Sequence, residues 1–322
     1  LTGMDLLRLG LERCDTALLA AETIVRLLQQ YGQAGSCGYM DKGFQYMNSY
    51  LIVDARDIIV LETIGRDYAL KHYRDYAAIS NEITMEDSWA RSSFEAGTNI
   101  NEFTDSVITR FAGSAARRQQ NLQRLSDGST TFSVRDALSM LRGHKQWLPF
   151  TGFNQDVCMH ASDPLVRKSQ TTGSMVVALG DSGGFRIFVT AGSCPCLSSF
   201  KPLLPSSPPE SVERAGPRYS LESFWWRHEA FHINAVLRYK GVHDVVAEEI
   251  RLLEEKYCCN IPSYPWDTRD TSLCSLSHEA FHRCRMAETK WMQEMKGIKK
   301  DFQPIHNAYW KRIASRRGVP LV

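Results

Sequence analysis

The chain has 322 residues, with 38 Lys and Arg against 36 Asp and Glu, a formal net charge of +2, and 43% hydrophobic and 23% charged residues. That suits one large domain, or a domain with an appendage, around a packed core. No run of about eighteen apolar residues offers a membrane span. Nine cysteines, an odd number scattered through a chain too large to need staples, point to free thiols in a reducing, cytoplasmic setting.

The opening "LTGMDLLRLGLER" lacks the parts of a signal peptide; starting inside a helical pattern, it reads as the remainder of something longer. Leu6, Leu7, Leu9 and Leu11, then Leu18, Leu19, Ile24, Val25 and Leu28, predict helices over 4–14 and 17–30. Asp15-Thr16 caps the second, and Gly32 and Gly35 end it. The stretch "SYLIVDARDIIVLETIGRDYALKHYRDYAAISN" predicts three or four antiparallel strands in a meander, with breaks at Ala55-Arg56-Asp57 and near Gly65. Residues 101–125 return to helix, and Ser133 with Asp136 forms a capping box that opens another. Two further strands, in "TTGSMVVALG" and "GFRIFVTAG", flank a hairpin turn at Asp181-Ser182-Gly183-Gly184. Five prolines between Pro202 and Pro217 mark a linker. Helices follow over 219–240, 243–257 and from 275 to the end, with a break near Pro304. The order gives an α+β core over 1–205, a Pro-rich linker over 206–218 and an all-helical C-terminal extension over 219–322, not the alternation of a doubly wound sheet.

His-Glu-Ala-Phe-His occurs twice, at 228–232 and 278–282. Histidines four apart share a helix face and can hold zinc while the Glu activates its water. A third ligand would have to come from Glu248 or Glu249 for the first copy, and from Glu288 or Glu294 for the second. The flanks "SFWWR…INAVLRY" and "LCSLS…RCRMAET" share nothing, so this is not an internal repeat. Two amphipathic helices with paired histidines is the preferred reading. His228 and His232 are disfavoured as metal ligands, and no cofactor is expected. Cys194-Pro195-Cys196 and Cys258-Cys259 have the wrong spacing for a zinc knuckle or a CxxC motif. From Arg283 to Val322 there are ten Lys and Arg against three Asp and Glu, interleaved with Trp291, Phe302, Tyr309 and Trp310. Such a tail can dock on an acidic partner or a nucleic acid, or it can be a solvated face with its aromatics turned inward.

The blocks "MDLLRLGLERCDTALLAAETIVRLLQQYGQAG", "NSYLIVDARDIIVLETIGRDYALKHY" and "AAISNEIT" resemble the secernin family, relatives of dipeptidases on the N-terminal-nucleophile hydrolase fold. "SVRDALSMLRGH", "VCMHASD", "TTGSMVVALG", "FVTAGSCPCLSSFKPLLP" and "FWWRHEAFH" continue the resemblance in order, over residues 1–235. It implies an αββα sandwich, incomplete at its N-terminus, and amide hydrolysis by an N-terminal Cys whose own amine is the base. Asn81 matches the position of an amide donor to the oxyanion, at the end of a strand. Glu62 and His160 match family positions of weaker implication, as does Ser174. The nucleophile is expected to be absent from this chain: Cys14 falls inside the helical "GLERCDTALL" and has no free α-amino group. The resemblance therefore leads to two expectations. Either a companion N-terminal segment completes the site, or the fold persists as a non-catalytic subunit of a large cytoskeletal, axonemal or ribosomal assembly, held through the basic tail. A membrane partner is not expected.

Overall fold

A computed structural model describes residues 1–38, 41–103, 113–127, 132–180, 184–209, 215–265 and 268–322. The chain is a mixed α+β protein that divides into two compact units, Leu1–Gly128 and Ser129–Val322, each with its own antiparallel sheet.

In the first unit, helix α1 (Gly3–Arg13) opens with a capping box: Thr2 accepts from the Asp5 amide while Asp5 reaches back to the Thr2 amide. Helix α2 (Ala17–Tyr31) has Thr16 as its N-cap and ends at Gly32. Cys14 lies just beyond α1, at its C-cap, and its thiol donates to Thr23 Oγ1 at 3.3 Å. The helical pattern therefore breaks one residue earlier than the sequence implies. Strands β1 (Asn48–Val53), β2 (Ile58–Ile64) and β3 (Asp67–Tyr73) form the expected meander, with a two-residue pair, β4 (Arg91–Ser92), added at the β3 edge. At the β1–β2 turn Asp54 accepts from the Arg56 and Asp57 amides and caps the start of α2 at the Ala17 amide. The β2–β3 turn is the two residues Gly65-Arg66, and Gly65 takes a φ of 61° that an L side chain would resist.

The central strand β2 is buried along both faces, which is why "IIVLETI" reads as a continuous apolar run and not as an alternation. Ile59 and Leu61 face Leu6, Ile24 and Leu28 of the two helices. Val60 packs with Ile83, Met85 and Ile100 of the irregular segment that follows β3. Helix α3 (Ser114–Ser126) closes this unit. It accounts for the later part of the helix expected over 101–125; Ile100–Phe103 is a 3-10 turn, and 104–112 lie outside the described residues.

In the second unit, helix α4 (Val134–Met140) starts at the Ser133–Asp136 capping box read from the sequence. Strands β5 (Met175–Leu179) and β6 (Phe185–Val189) pair as expected, although 181–183 of the hairpin turn lie outside the described residues; the two-residue β7 (Lys201–Pro202) extends the sheet. Helices α5 (Phe224–Val236), α6 (Tyr239–Tyr257), α7 (Thr271–Glu294) and α8 (Pro304–Arg317) follow. Residues 129–205 cluster with these helices, whereas the sequence reading placed its division in the Pro-rich stretch. The described ends of that stretch are tied down within this unit. Trp226 Nε1 donates to the Gly216 carbonyl at 2.9 Å, Tyr219 N to that of Arg317 at 2.9 Å, and Ser206 Oγ to that of Thr268 at 2.6 Å.

The C-terminal residues belong to the core. Trp291 and Trp310 are buried, and their indole N–H groups bond to Glu249 and to the Ala161 carbonyl. Val322 N donates to Asn234 Oδ1 at 2.9 Å, and Arg238 donates to the Val322 carbonyl. Two of the four tail aromatics thus turn inward, Tyr309 is half-buried, and Phe302 stands 93% exposed.

Candidate functional site

Asn81 and Glu62 belong to the first unit. Asn81 lies in an exposed bend, eight residues after β3 ends and not at a strand end, because the chain turns irregular once Tyr73 leaves the sheet. Its Oδ1 accepts from Arg117 Nη2 at 2.8 Å. Glu62 is fully buried on the β2 face that carries Val60. Its carboxylate accepts from the Thr84 amide at 2.8 and 3.0 Å, from Thr84 Oγ1 at 2.8 Å and from the Met85 amide at 2.9 Å. Those bonds supply the partners that a buried carboxylate requires, and they pin residues 84–85 across the sheet.

The remaining candidates lie in the second unit. Ser174 immediately precedes β5, where its amide donates to Thr190 Oγ1 at 3.0 Å. In the first HEAFH copy, His228 Nε2 meets the Ser193 carbonyl at 2.8 Å and Nδ1 meets Glu288 Oε1 at 2.7 Å. Both nitrogens are therefore turned toward acceptors and away from a metal. A Cβ on Gly192 would lie 2.3 Å from the His228 ring, so only glycine lets the chain pass there. Glu229 is buried and accepts from Ser193 Oγ at 2.6 Å. Burial pushes its carboxyl up, but His232 and the Ser193 hydrogen bond outweigh that and hold it down at about 2. His232 is fully buried; its Nδ1 lies 3.6 Å from Glu229 Oε1, within ion-pair reach, although neither ring nitrogen makes a hydrogen bond. In the second copy, His278 bonds to Ser207 and His282 is exposed.

His160 meets three side chains that the sequence reading did not join to it. Its Nε2 lies 3.2 Å from His144 Nε2, 3.2 Å from Cys196 Sγ and 3.5 Å from Cys158 Sγ. The donor atoms of all four residues lie within 4.8 Å of one another; a second group, His160, Cys194 and His232, converges within the same limit. His160, Cys158, Cys194 and Cys196 are buried, and His144 is half-exposed.

Three irregular pieces of chain bring these donors together, each held by polar pegs. The segment carrying Cys158 and His160 wraps around the buried Arg167. That guanidinium donates to the carbonyls of His160 at 3.2 Å, Thr151 at 3.1 Å and Phe153 at 2.7 Å and to that of Pro149, with Asp156 at 3.8 Å. Thr171 brackets Met159, taking its amide on Oγ1 and giving its own N–H to the carbonyl, both at 3.0 Å. The turn carrying Cys194 and Cys196 places two non-glycine residues at positive φ, Ala191 at 52° and Cys194 at 54°, a strain of about 1–3 kcal/mol each that the surroundings must hold. Arg142 does much of that holding: Nε donates to the Pro195 carbonyl at 2.7 Å, Nη2 to that of Ser198 at 3.2 Å, and the guanidinium forks onto Glu254 of α6. His144 follows two residues later.

Burial pushes the Cys158 and Cys196 thiols well above their ordinary range and the His160 imidazole well below its own. Burial likewise raises Cys194. The polar edge of the cluster faces a cleft lined by Arg142, His144, Cys196, His243, Ile250 and Glu254. The sequence held the parts of this site, Cys-x-His at 158–160 and Cys-Pro-Cys at 194–196. The partnership with His144 crosses fourteen residues of irregular chain and has no local signal.

No protein-family model matches the chain.

Proposed function

We propose that this chain is a secernin-like protein, built on the layered sandwich of the N-terminal-nucleophile amidohydrolases, that serves as a non-catalytic architectural subunit. The reading rests on the ordered blocks from "MDLLRLGLER" to "FWWRHEAFH". The helix-backed antiparallel sheet in each unit is consistent with it. The observation that carries the non-catalytic part is how the family-matched polar residues are engaged. The Glu62 carboxylate is filled by Thr84 and Met85, and His160 sits among the buried sulfurs of Cys158 and Cys196. Groups so committed hold structure, whereas acyl transfer needs a nucleophile and a base free to reach substrate.

Attachment to its assembly is assigned to the exposed face around the α7–α8 junction. Lys296, Lys299, Lys300, Lys311 and Arg312 are exposed there, together with Phe302 and Ile305, which are 93% and 73% exposed. Basic groups around an apolar pair suit an acidic macromolecular surface. Removing 283–322 would also remove Trp291 and Trp310 from the core, so charge reversal is the cleaner test. The triple variant Lys299→Glu/Lys300→Glu/Lys311→Glu is expected to keep the wild-type melting temperature. It should also lose at least about tenfold in co-sedimentation with the native assembly at low salt, a salt-sensitive loss of the kind that polyanion binding shows. Unchanged sedimentation would remove this face as the anchor.

A further inference from the structure

We infer that His144, Cys158, His160 and Cys196 form a structural zinc site, one that the sequence pattern gave no reason to expect. In a tetrahedral site with Zn–N of about 2.05 Å and Zn–S of about 2.3 Å, neighbouring donors stand about 3.3 Å apart for two nitrogens and about 3.6 Å for nitrogen and sulfur. Here the corresponding separations are 3.2 Å between His144 and His160, and 3.2 and 3.5 Å from His160 to the two sulfurs. All four donor atoms fall within the 4.8 Å group, so one ion can touch every one of them.

Hydrogen bonding alone describes the cluster poorly. A single imidazole nitrogen, His160 Nε2, faces three potential partners and can make only one N–H bond or accept at one lone pair. A cation at the centre of the four atoms satisfies all of them at once, with both thiols bound as thiolates. The same ion accounts for two sulfurs and two imidazoles gathered where little water reaches.

The chemistry of the donors selects the metal. Two sulfurs and two imidazole nitrogens in a tetrahedral arrangement suit zinc, and hard cations such as magnesium or calcium take oxygen ligands instead. A two-iron cluster would place thiolates and imidazoles on separate irons, further apart than 3.2–3.5 Å. Four protein donors leave no open position for water, which makes the site structural and not hydrolytic.

The surroundings fit a metal site. Tyr239, fully buried at the start of α6, points its hydroxyl at Cys196 Sγ from 3.8 Å and can donate to a thiolate there. The peptide amide of Cys158 donates to the Gly143 carbonyl at 3.2 Å, which ties one ligand segment to the stretch bearing His144. His144 and Cys196 line the cleft, so the ion has a way in. The bound metal would join three pieces of chain that have little regular structure of their own: the residues after α4, the wrap around Arg167 and the strained turn at 191–196.

Elemental analysis of the purified full-length chain tests the assignment, with about one zinc per chain expected. Cys14→Ser, in the first unit, should keep it. Cys158→Ser and Cys196→Ser should each retain less than about a tenth of the wild-type content and melt at a lower temperature. Should either variant fail to fold, cobalt(II) added to chelator-treated wild-type protein decides the matter. The expected result is a thiolate-to-cobalt charge-transfer band with strong tetrahedral d–d bands. Wild-type protein that holds almost no zinc and shows no such bands overturns the proposal. Full zinc in Cys158→Ser, or iron in place of zinc, does the same.

Discussion

Arg142→Ala is expected to lower the stability of the second unit by about 3–5 kcal/mol, the usual cost of leaving one member of a buried ion pair without its partner. The guanidinium forks onto Glu254, whose side chain is only 8% exposed, and also binds the Pro195 and Ser198 carbonyls. Without it, Glu254 keeps the neutral Phe200 amide at 2.7 Å but loses the cation that pairs with it among the described residues. The Ser198 carbonyl loses the Arg142 donor in the same step, and the Pro195 carbonyl keeps the Ser198 amide at 3.4 Å. Urea denaturation followed by tryptophan fluorescence would read the loss, since Trp226, Trp291 and Trp310 all lie in this core. The double variant Arg142→Met/Glu254→Leu should recover a large part of it, because removing both charges leaves no unpaired one. A single variant within about 0.5 kcal/mol of wild type would mean that the pair holds nothing in place.

Glu62→Ala is expected to be the most damaging single change in the first unit, at about 3 kcal/mol or more. It strands the buried Met85 amide and the half-buried Thr84 amide and hydroxyl, each lost partner being worth about 1–3 kcal/mol, and leaves a cavity beside Val60 and Met85. Glu62→Gln should fall between the two. Its amide nitrogen would point a donor at donors on one side, while the remaining oxygen keeps accepting on the other. Chemical denaturation of the full chain, with the first transition assigned by hydrogen exchange at residues 58–73, would measure it. An alanine variant as stable as wild type would show that the 84–85 segment is held by other means.

How far these elements can be read from the sequence depends on whether the signal is local. The capping boxes at Thr2–Asp5 and Ser133–Asp136, the hairpin at Gly65 and the strand-like run "IIVLETI" all act within a few residues. The two HEAFH copies show the opposite case. Five identical residues meet different fates because α5 is buried almost all round while α7 carries His282 on an exposed face. His228 is occupied by a backbone carbonyl 35 residues away and a carboxylate 60 residues away. The cluster at His160 is the extreme of this. Its four donors sit on loops whose shapes are set by Arg167, Thr171 and Arg142, and no spacing rule links position 144 to 196. Asn81 lies in a bend and not at a strand end for a related reason. "AAIS" reads as strand, but residues 77–90 pack as irregular chain over the sheet, with Ile83 and Met85 buried and Glu62 accepting from the Thr84 and Met85 amides.

The idea that the family-matched side chains of this chain hold structure and do not cleave amides is tested most directly by the rate at which the natural full-length protein hydrolyses a panel of dipeptides. No release above the buffer rate is expected, with or without prior thiol alkylation. Turnover that disappears on alkylation, with the fold intact, would contradict the account and restore an active cysteine-type amidohydrolase.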